Sequence, residues 1–274
     1  MISLQSSFTK KQLIKSFKKV LLGKRLSCGY CKYGRVILCK SDKRYWCRKC
    51  RRKSSLKSLS LFKGSKLSWE KLYLLLELWL NEITAKQAVK LSRLSLRTVY
   101  RYYRLFRLKA PEINGKFNSD ILVMDDSYFG GKRKGKRGRG AAGKTIVLGL
   151  RSKRQDQIKT LAVPDLYFKR IGAFISFSVS PDSSLISDSF PRYQEAADWL
   201  RFNNHFFIDH SIRFKETNPI ENVWSVMKFK LRKIYHHATM KYMPEYIKEL
   251  TYRFNARLEP DTPFTFLEKT LQLT

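Results

Sequence analysis

The chain has 274 residues, enough for one large domain or two or three small ones, and its 43% hydrophobic and 14% aromatic content can bury a real core. Lys and Arg number 56 against 22 acidic residues, a net charge of +34 spread along the whole chain, so a polyanion, nucleic acid first, is the expected partner. No stretch approaches the ~18 apolar residues of a membrane span, and no apolar run with a cleavage site follows the basic N-terminus. The expectation is therefore a cytoplasmic, nucleoid-associated protein with no membrane role and five reduced cysteines.

In chain order, Phe8 to Leu22 has the spacing of a short basic amphipathic helix, with Leu13, Phe17, Val20 and Leu21 on one side. Cys28-Gly-Tyr-Cys31 and Cys47-Arg-Lys-Cys50 follow, two knuckles separated by residues 32–46. That pattern brings four thiolates to one tetrahedral Zn²⁺, and Arg35–Leu38 and Arg44–Trp46 between them read as strands of a zinc ribbon. Cys39 lies outside both pairs, and Arg48, Lys49, Arg51, Arg52 and Lys53 make the second knuckle a candidate phosphate contact. Residues 54–65, rich in Ser and Lys, read as a linker.

Ser68-Trp69-Glu70 opens an amphipathic helix through Leu80, and Thr84-Ala-Lys-Gln87 has the capping-box pattern of a second, ending near Leu91. Ser95 caps a third, Leu96 to about Leu108. Three helices with tight turns, the last rich in Arg and Tyr, read as a helix-turn-helix whose third helix offers Arg97, Arg101 and Arg104 to a major groove.

After a linker near Pro111 the character changes. Strands are expected at Ile121–Met124, Thr145–Leu150, Ile158–Val163, Leu185–Ser187 and His205–Ile208, and helices near 165–176 and 191–202, then at Pro219–Tyr235 and Met243–Arg257. That element order is the order of an RNase H-like domain. The fold class is thus α+β, a zinc ribbon and helix-turn-helix followed by an RNase H-like α/β catalytic domain. The expected boundaries are residues 1–65, 66–110 and 118–274.

Asp125 and Asp126 end the first of these strands, and carboxylates there lose hydration and repel each other, a cost that a cation offsets. Beyond the Gly130-Gly131 turn comes Lys132, Arg133, Lys134, Lys136, Arg137 and Arg139, a cationic segment suited to phosphate. Asp188 ends a later strand. Glu221 sits in a first helical turn, beside the apolar stripe of Ile220, Val223, Met227, Leu231 and Ile234, with Lys228 two turns further along. Alone, such an Asp is most often a turn former and such a Glu most often offsets a helix dipole. Together, three carboxylates from separate elements can hold two divalent ions, Mg²⁺ or Mn²⁺, that serve the attacking and leaving oxygens of a phosphodiester.

The motifs Asp125-Asp-Ser-Tyr-Phe-Gly-Gly131, Gly138-Arg-Gly-Ala-Ala-Gly-Lys144, Asp209-His210-Ser211, Asn218-Pro-Ile-Glu-Asn-Val-Trp224 with Lys228, and Tyr252-Arg-Phe-Asn255 together resemble the zinc-ribbon DDE transposases. More narrowly, they resemble the bacterial insertion-sequence group related to the Merlin superfamily. The resemblance implies DNA strand cleavage and transfer at element ends, Mg²⁺ dependence, and Asp125, Asp188 and Glu221 as the triad with Lys228 as its basic companion. Double-stranded DNA, as element ends and target, is the implied partner, bound by a homo-oligomer. The chain departs from the group's pattern at Asp126, where Glu is usual, at Ser189, where Gly is common, and at His210, where Asn is common. The group also offers Asp209 as a competing second carboxylate. Two rivals remain: a non-catalytic DNA-binding regulator, and a nuclease or resolvase on the same fold, which the triad alone does not separate from a transposase.

Overall fold

Four thiols, a run of capped helices and a set of half-apolar strands divide the chain between two compact units. The computed structural model describes residues 9–22, 27–42, 44–130, 143–208, 218–236 and 238–272. The first unit comprises residues 1–106 and 261–274, the second residues 107–260. The last stretch, expected to belong to the catalytic domain, thus clusters with the N-terminal elements instead.

In the first unit, helix α1 (Lys10–Leu22) buries Leu13 and Phe17. Strands β1 (Val36–Cys39), β2 (Arg44–Cys47) and β3 (Lys53–Ser54) form a small antiparallel sheet, Trp46↔Lys53 being one of the pairs. The third strand and the packing of the next residues depart from the expected linker. Phe62 is fully buried, edge-on to Phe17 and Trp69 at ring distances of 6.1 and 6.0 Å. One aromatic ring inside a polar stretch is enough to draw that stretch into the core.

Helix α2 (Trp69–Leu80) starts where Ser68 accepts a hydrogen bond from the Lys71 amide, and it buries Leu72, Leu75, Leu76, Leu78 and Trp79. Helix α3 (Ala85–Ser92) starts on the reciprocal Thr84–Gln87 capping box and stops at Arg93, whose φ of 54° is left-handed. Helix α4 (Leu96–Lys109) starts where Ser95 Oγ accepts from the Thr98 amide at 3.2 Å. It buries Val99, Tyr102, Tyr103 and Phe106 and exposes Arg97, Tyr100, Arg101 and Arg104 on the opposite face. These three helices are the expected helix-turn-helix. The structure adds helix α9 (Pro263–Gln272), which places Phe266 5.4 Å from the Trp79 ring and Phe264 5.4 Å from that of Phe17.

The second unit is built on five strands: β4 (Ile121–Phe129), β5 (Thr145–Ser152), β6 (Ile158–Val163), β7 (Ser184–Asp188) and β8 (His205–Ile208). Their order across the sheet is β6-β5-β4-β7-β8. The first three form an antiparallel meander, and β7 and β8 add parallel to β4. This is the RNase H-like arrangement.

One face of the sheet, through Leu122, Met124 and Leu185, packs on helices α5 (Phe168–Ser178) and α6 (Pro191–Leu200). The other, through Val123, Phe129 and Val147, packs on helices α7 (Asn218–Tyr235) and α8 (Met243–Asn255). Period-two alternation along β4 therefore sorts its side chains between two cores. At the outer edge of the meander, the Asn255 side chain accepts from the Ile158 amide at 2.8 Å and donates to the Ile158 carbonyl at 2.9 Å.

Candidate active site and metal centres

The four cysteines of the ribbon converge. One ligand atom from each of Cys28, Cys31, Cys47 and Cys50 lies within 4.8 Å of all the others, with Sγ–Sγ distances of 3.6 Å for Cys28–Cys50 and for Cys31–Cys47. Burial opposes the Cys28 thiolate, but the amides of Cys31 and Tyr30 and the neighbouring thiols outweigh it and pull the group down to about 6. Cys50 gains from the Arg52 amide, yet burial and the other three sulfurs push it up to about 11. Four sulfurs this close share out charge unequally until a cation neutralises them, and soft donors in this number suit Zn²⁺. Cys39 stands outside the cluster.

Asp125 does not end its strand. Strand β4 continues to Phe129 because β5 pairs with it throughout, and Asp125 lies directly opposite Gly149. Beyond the run of Ile121–Met124, Tyr128 and Phe129 still favour an extended chain. The parallel pairs Ile121↔Ser184 and Val123↔Ile186 set an offset that carries on to Asp125 and Asp188. Continued by two residues, that offset puts the two carboxylates at neighbouring positions on adjacent strands, and Asp188 is among the charges that act on Asp125. Asp188 also accepts from the Phe190 amide at 3.2 Å, at the start of α6.

Helix α7 completes the site. Trp224 Nε1 donates to Asp125 Oδ2 at 2.9 Å, and Glu221, half-buried, lies one turn earlier on the same helix. One turn later Lys228 Nζ donates to Ser127 Oγ at 2.7 Å, two residues beyond Asp125 on the same strand face, and lies 5.5 Å from the Phe129 ring centroid. Asp125 is thus linked electrostatically to Asp188 and to Lys228, and Glu221 lies on the helix that carries Trp224 and Lys228. Among the described residues only the cysteines form a tight ligand cluster; the three carboxylates are not drawn so close together.

The electrostatics match this layout. Burial, opposed by the Trp224 N–H and reinforced by Asp126 and Asp188, pushes Asp125 up to about 7. Burial also lowers Lys228, with Lys144 and Arg232 adding to the effect and Asp125 opposing it. Asp126 faces the other way, as alternation requires: its Oδ1 accepts from the buried Tyr193 hydroxyl on α6 at 2.9 Å. Half-buried carboxylates beside a cationic helix are a donor set of hard oxygens, which suits Mg²⁺ or Mn²⁺.

Sequence patterns mark Ser127 and Trp224 only as parts of motifs and give no sign of Gly149 or Tyr193. No local pattern signals them, since each acts across elements. Arg97, Arg101 and Arg104 share the exposed face of α4. Lys132, Arg133, Lys134, Lys136, Arg137 and Arg139, like Asp209 and His210, lie outside the described residues.

A five-stranded sheet of order β6-β5-β4-β7-β8, with helices on both faces, defines the class as RNase H-like. The particular family follows from sequence: the profile of the ISXO2-like transposase domain matches residues 119–255. The chain belongs to that family. It is 32% identical over 103 residues to an uncharacterized transposase-like protein of Haemophilus influenzae, a match covering 36% of this chain and 81% of that one. Solved structures with a distant likeness include the catalytic core domain of BIV integrase (12% identity, 57% of this chain and 98% of that one, TM-score 0.34). The HTLV-2 integrase catalytic core in complex with magnesium is another (14% identity, 57% and 98%, TM-score 0.33). The fold assignment rests on the strand order, not on these two. Among the described residues no helix is long and apolar enough to cross a membrane.

Proposed function

We propose that this transposase binds the ends of its own insertion sequence and cuts and joins DNA there, with Asp125, Asp188 and Glu221 as the catalytic carboxylates. The observation that supports the proposal is that helix α7, which bears Glu221 and Lys228, is bonded to Asp125 and Ser127 of β4, while Asp188 on the adjacent strand acts electrostatically on Asp125. These carboxylates would hold Mg²⁺ or Mn²⁺, which when bound supplies Lewis-acid activation of the attacking and leaving oxygens. The chain's own groups do the rest. Lys228, fixed on Ser127, offers a positive charge to a scissile phosphate, and the sheet keeps the two aspartates from separating.

The modules divide the work. The ribbon, with Zn²⁺ on its four cysteines, and the helix-turn-helix, through Arg97, Arg101 and Arg104, take the element ends. Residues 118–260 cut, and Lys132 to Arg139 hold phosphates without reading bases. Cytoplasmic action as a homo-oligomer on double-stranded DNA completes the reading. The test is Asp125→Asn, Asp188→Asn and Glu221→Gln in separate proteins given duplex ends. Cleavage should fall by orders of magnitude with end binding unchanged or slightly tighter. Undiminished cleavage in any one of the three would remove that residue from the site. End binding with no cleavage by the unaltered protein, at any Mg²⁺ or Mn²⁺ concentration, would favour the DNA-binding regulator instead.

A further inference from the structure

The family motif accounts for the carboxylates but leaves the tryptophan that ends Asn218–Trp224 without a task. Trp224 is only 4% exposed, yet its single polar atom is spent on Asp125 and not on a backbone carbonyl. Its ring stands edge-on to Phe129, 5.9 Å between centroids, so packing fixes where the N–H points. Directly opposite Asp125 on β5 is Gly149, and a Cβ there would lie 2.3 Å from Cη2 and 2.6 Å from Cζ2 of the indole. Gly149 sits inside an ordinary strand, paired with Asp125 on one side and Thr160 on the other, and its φ is not positive. The backbone therefore does not need glycine; the indole does.

We infer that Trp224 is a positioning residue that aims the Asp125 carboxylate at the metal by holding Oδ2, and that Gly149 exists to admit its ring. This inference rests on the carboxylate site proposed above. One oxygen held by a buried N–H locks the side-chain torsion, so Asp125 meets a cation without first losing rotational freedom. Partners of this kind, hydrogen-bonded behind a metal ligand, set affinity as well as orientation. With this bond and one from the Asp126 amide made, the carboxylate still has lone pairs to offer a cation. It also ties ligand geometry to α7, so Glu221 and Asp125 are placed by one rigid helix.

The experiment uses the zinc-replete full chain and reads Mn²⁺ binding by the electron paramagnetic resonance of free Mn²⁺, beside cleavage. Trp224→Phe keeps a ring but loses the N–H and the two atoms that crowd Gly149. It should bind duplex ends as before, weaken Mn²⁺ by about 10–100-fold, and regain most of its cleavage rate at saturating metal. Gly149→Ala should weaken Mn²⁺ similarly by displacing the indole, and the double variant should be no worse than Trp224→Phe alone. Unchanged Mn²⁺ affinity in Trp224→Phe, or losses that multiply in the double variant, would overturn the inference. Should Trp224→Phe fail to fold, benzothienylalanine at 224 replaces the N–H by sulfur in the same shape, and unchanged Mn²⁺ affinity there overturns it equally. Asp125→Asn separates the two levels. If it binds Mn²⁺ as the unaltered protein does, the carboxylate site itself is wrong and the inference falls with it. If it alone loses Mn²⁺, the site stands and only the role of Trp224 is refuted.

Discussion

Asp125 shows what burial does to one charge. Its folded-state proton is held until about pH 7, whereas the ordinary value is 3.8. The folded form therefore binds the proton more tightly than the unfolded chain does. Stability from this group is greatest below pH 4, declines as pH rises between 4 and 7, and stays low above that. A shift of about three units corresponds to at most about 4 kcal/mol. Without divalent metal, Asp125→Asn should lack that decline and be more stable than the unaltered protein at pH 8, the gap closing towards pH 4. Denaturant titrations in chelator at several pH values measure it, and parallel pH profiles for the two proteins would refute it. Glu249 has the opposite sign. It is fully buried, and although burial opposes its charge, Arg253 and Arg107 more than compensate and hold it below the usual carboxylate range. Arg107 Nε and Arg253 Nε donate to it at 2.9 and 2.8 Å, and the Tyr235 hydroxyl donates as well. Replacing it by Leu would take the shared carboxylate from two buried guanidinium groups and should cost about 3–5 kcal/mol in thermal or denaturant unfolding.

Elements whose ends are made locally are legible in the amino-acid sequence alone. Ser68, Thr84 with Gln87, and Ser95 each mark a helix start from side-chain chemistry, and each makes the capping bond its position implies. The paired cysteines and the strand His205–Ile208 are equally plain. What escapes is register. Nothing in Ile121–Met124 says that the strand continues to Phe129, because its extension depends on β5 lying alongside. Nothing near Gly149 announces an indole from a distant helix. The short β3 hides in a Ser/Lys-rich stretch for the same reason: two residues carry no pattern, and the ladder with β2 forms them. At the ribbon, chelation of zinc should melt the β1–β3 sheet while the second unit keeps its own unfolding transition, as separate probes in each unit would show. At the other end, Asn255→Ala removes both bonds to Ile158 and should cost about 1–3 kcal/mol. Faster hydrogen exchange at the Ile158 amide is the local readout, and unchanged exchange would show the clamp to be idle.

Over the whole molecule the charge of +34 outweighs any single contact. Neutralising Lys134, Lys136 and Arg137 should weaken binding to all DNA sequences alike and flatten the salt dependence by up to about three units of slope. A change in sequence preference at constant slope would mean that this segment reads bases. The two compact units also have an order in time. Phe264 and Phe266 rest on Phe17, Tyr73, Trp79 and Phe106, so α9 fills the middle of an aromatic cluster whose other members come from the first 106 residues. A ribosome makes those first residues, then the entire RNase H-like sheet, and only afterwards the helix that finishes the first core. The half of the molecule bearing the ribbon and helix-turn-helix therefore waits, incompletely packed, until the half bearing the carboxylates has been synthesised. Any message broken before residue 263 yields a first unit with a hole where two phenylalanines belong.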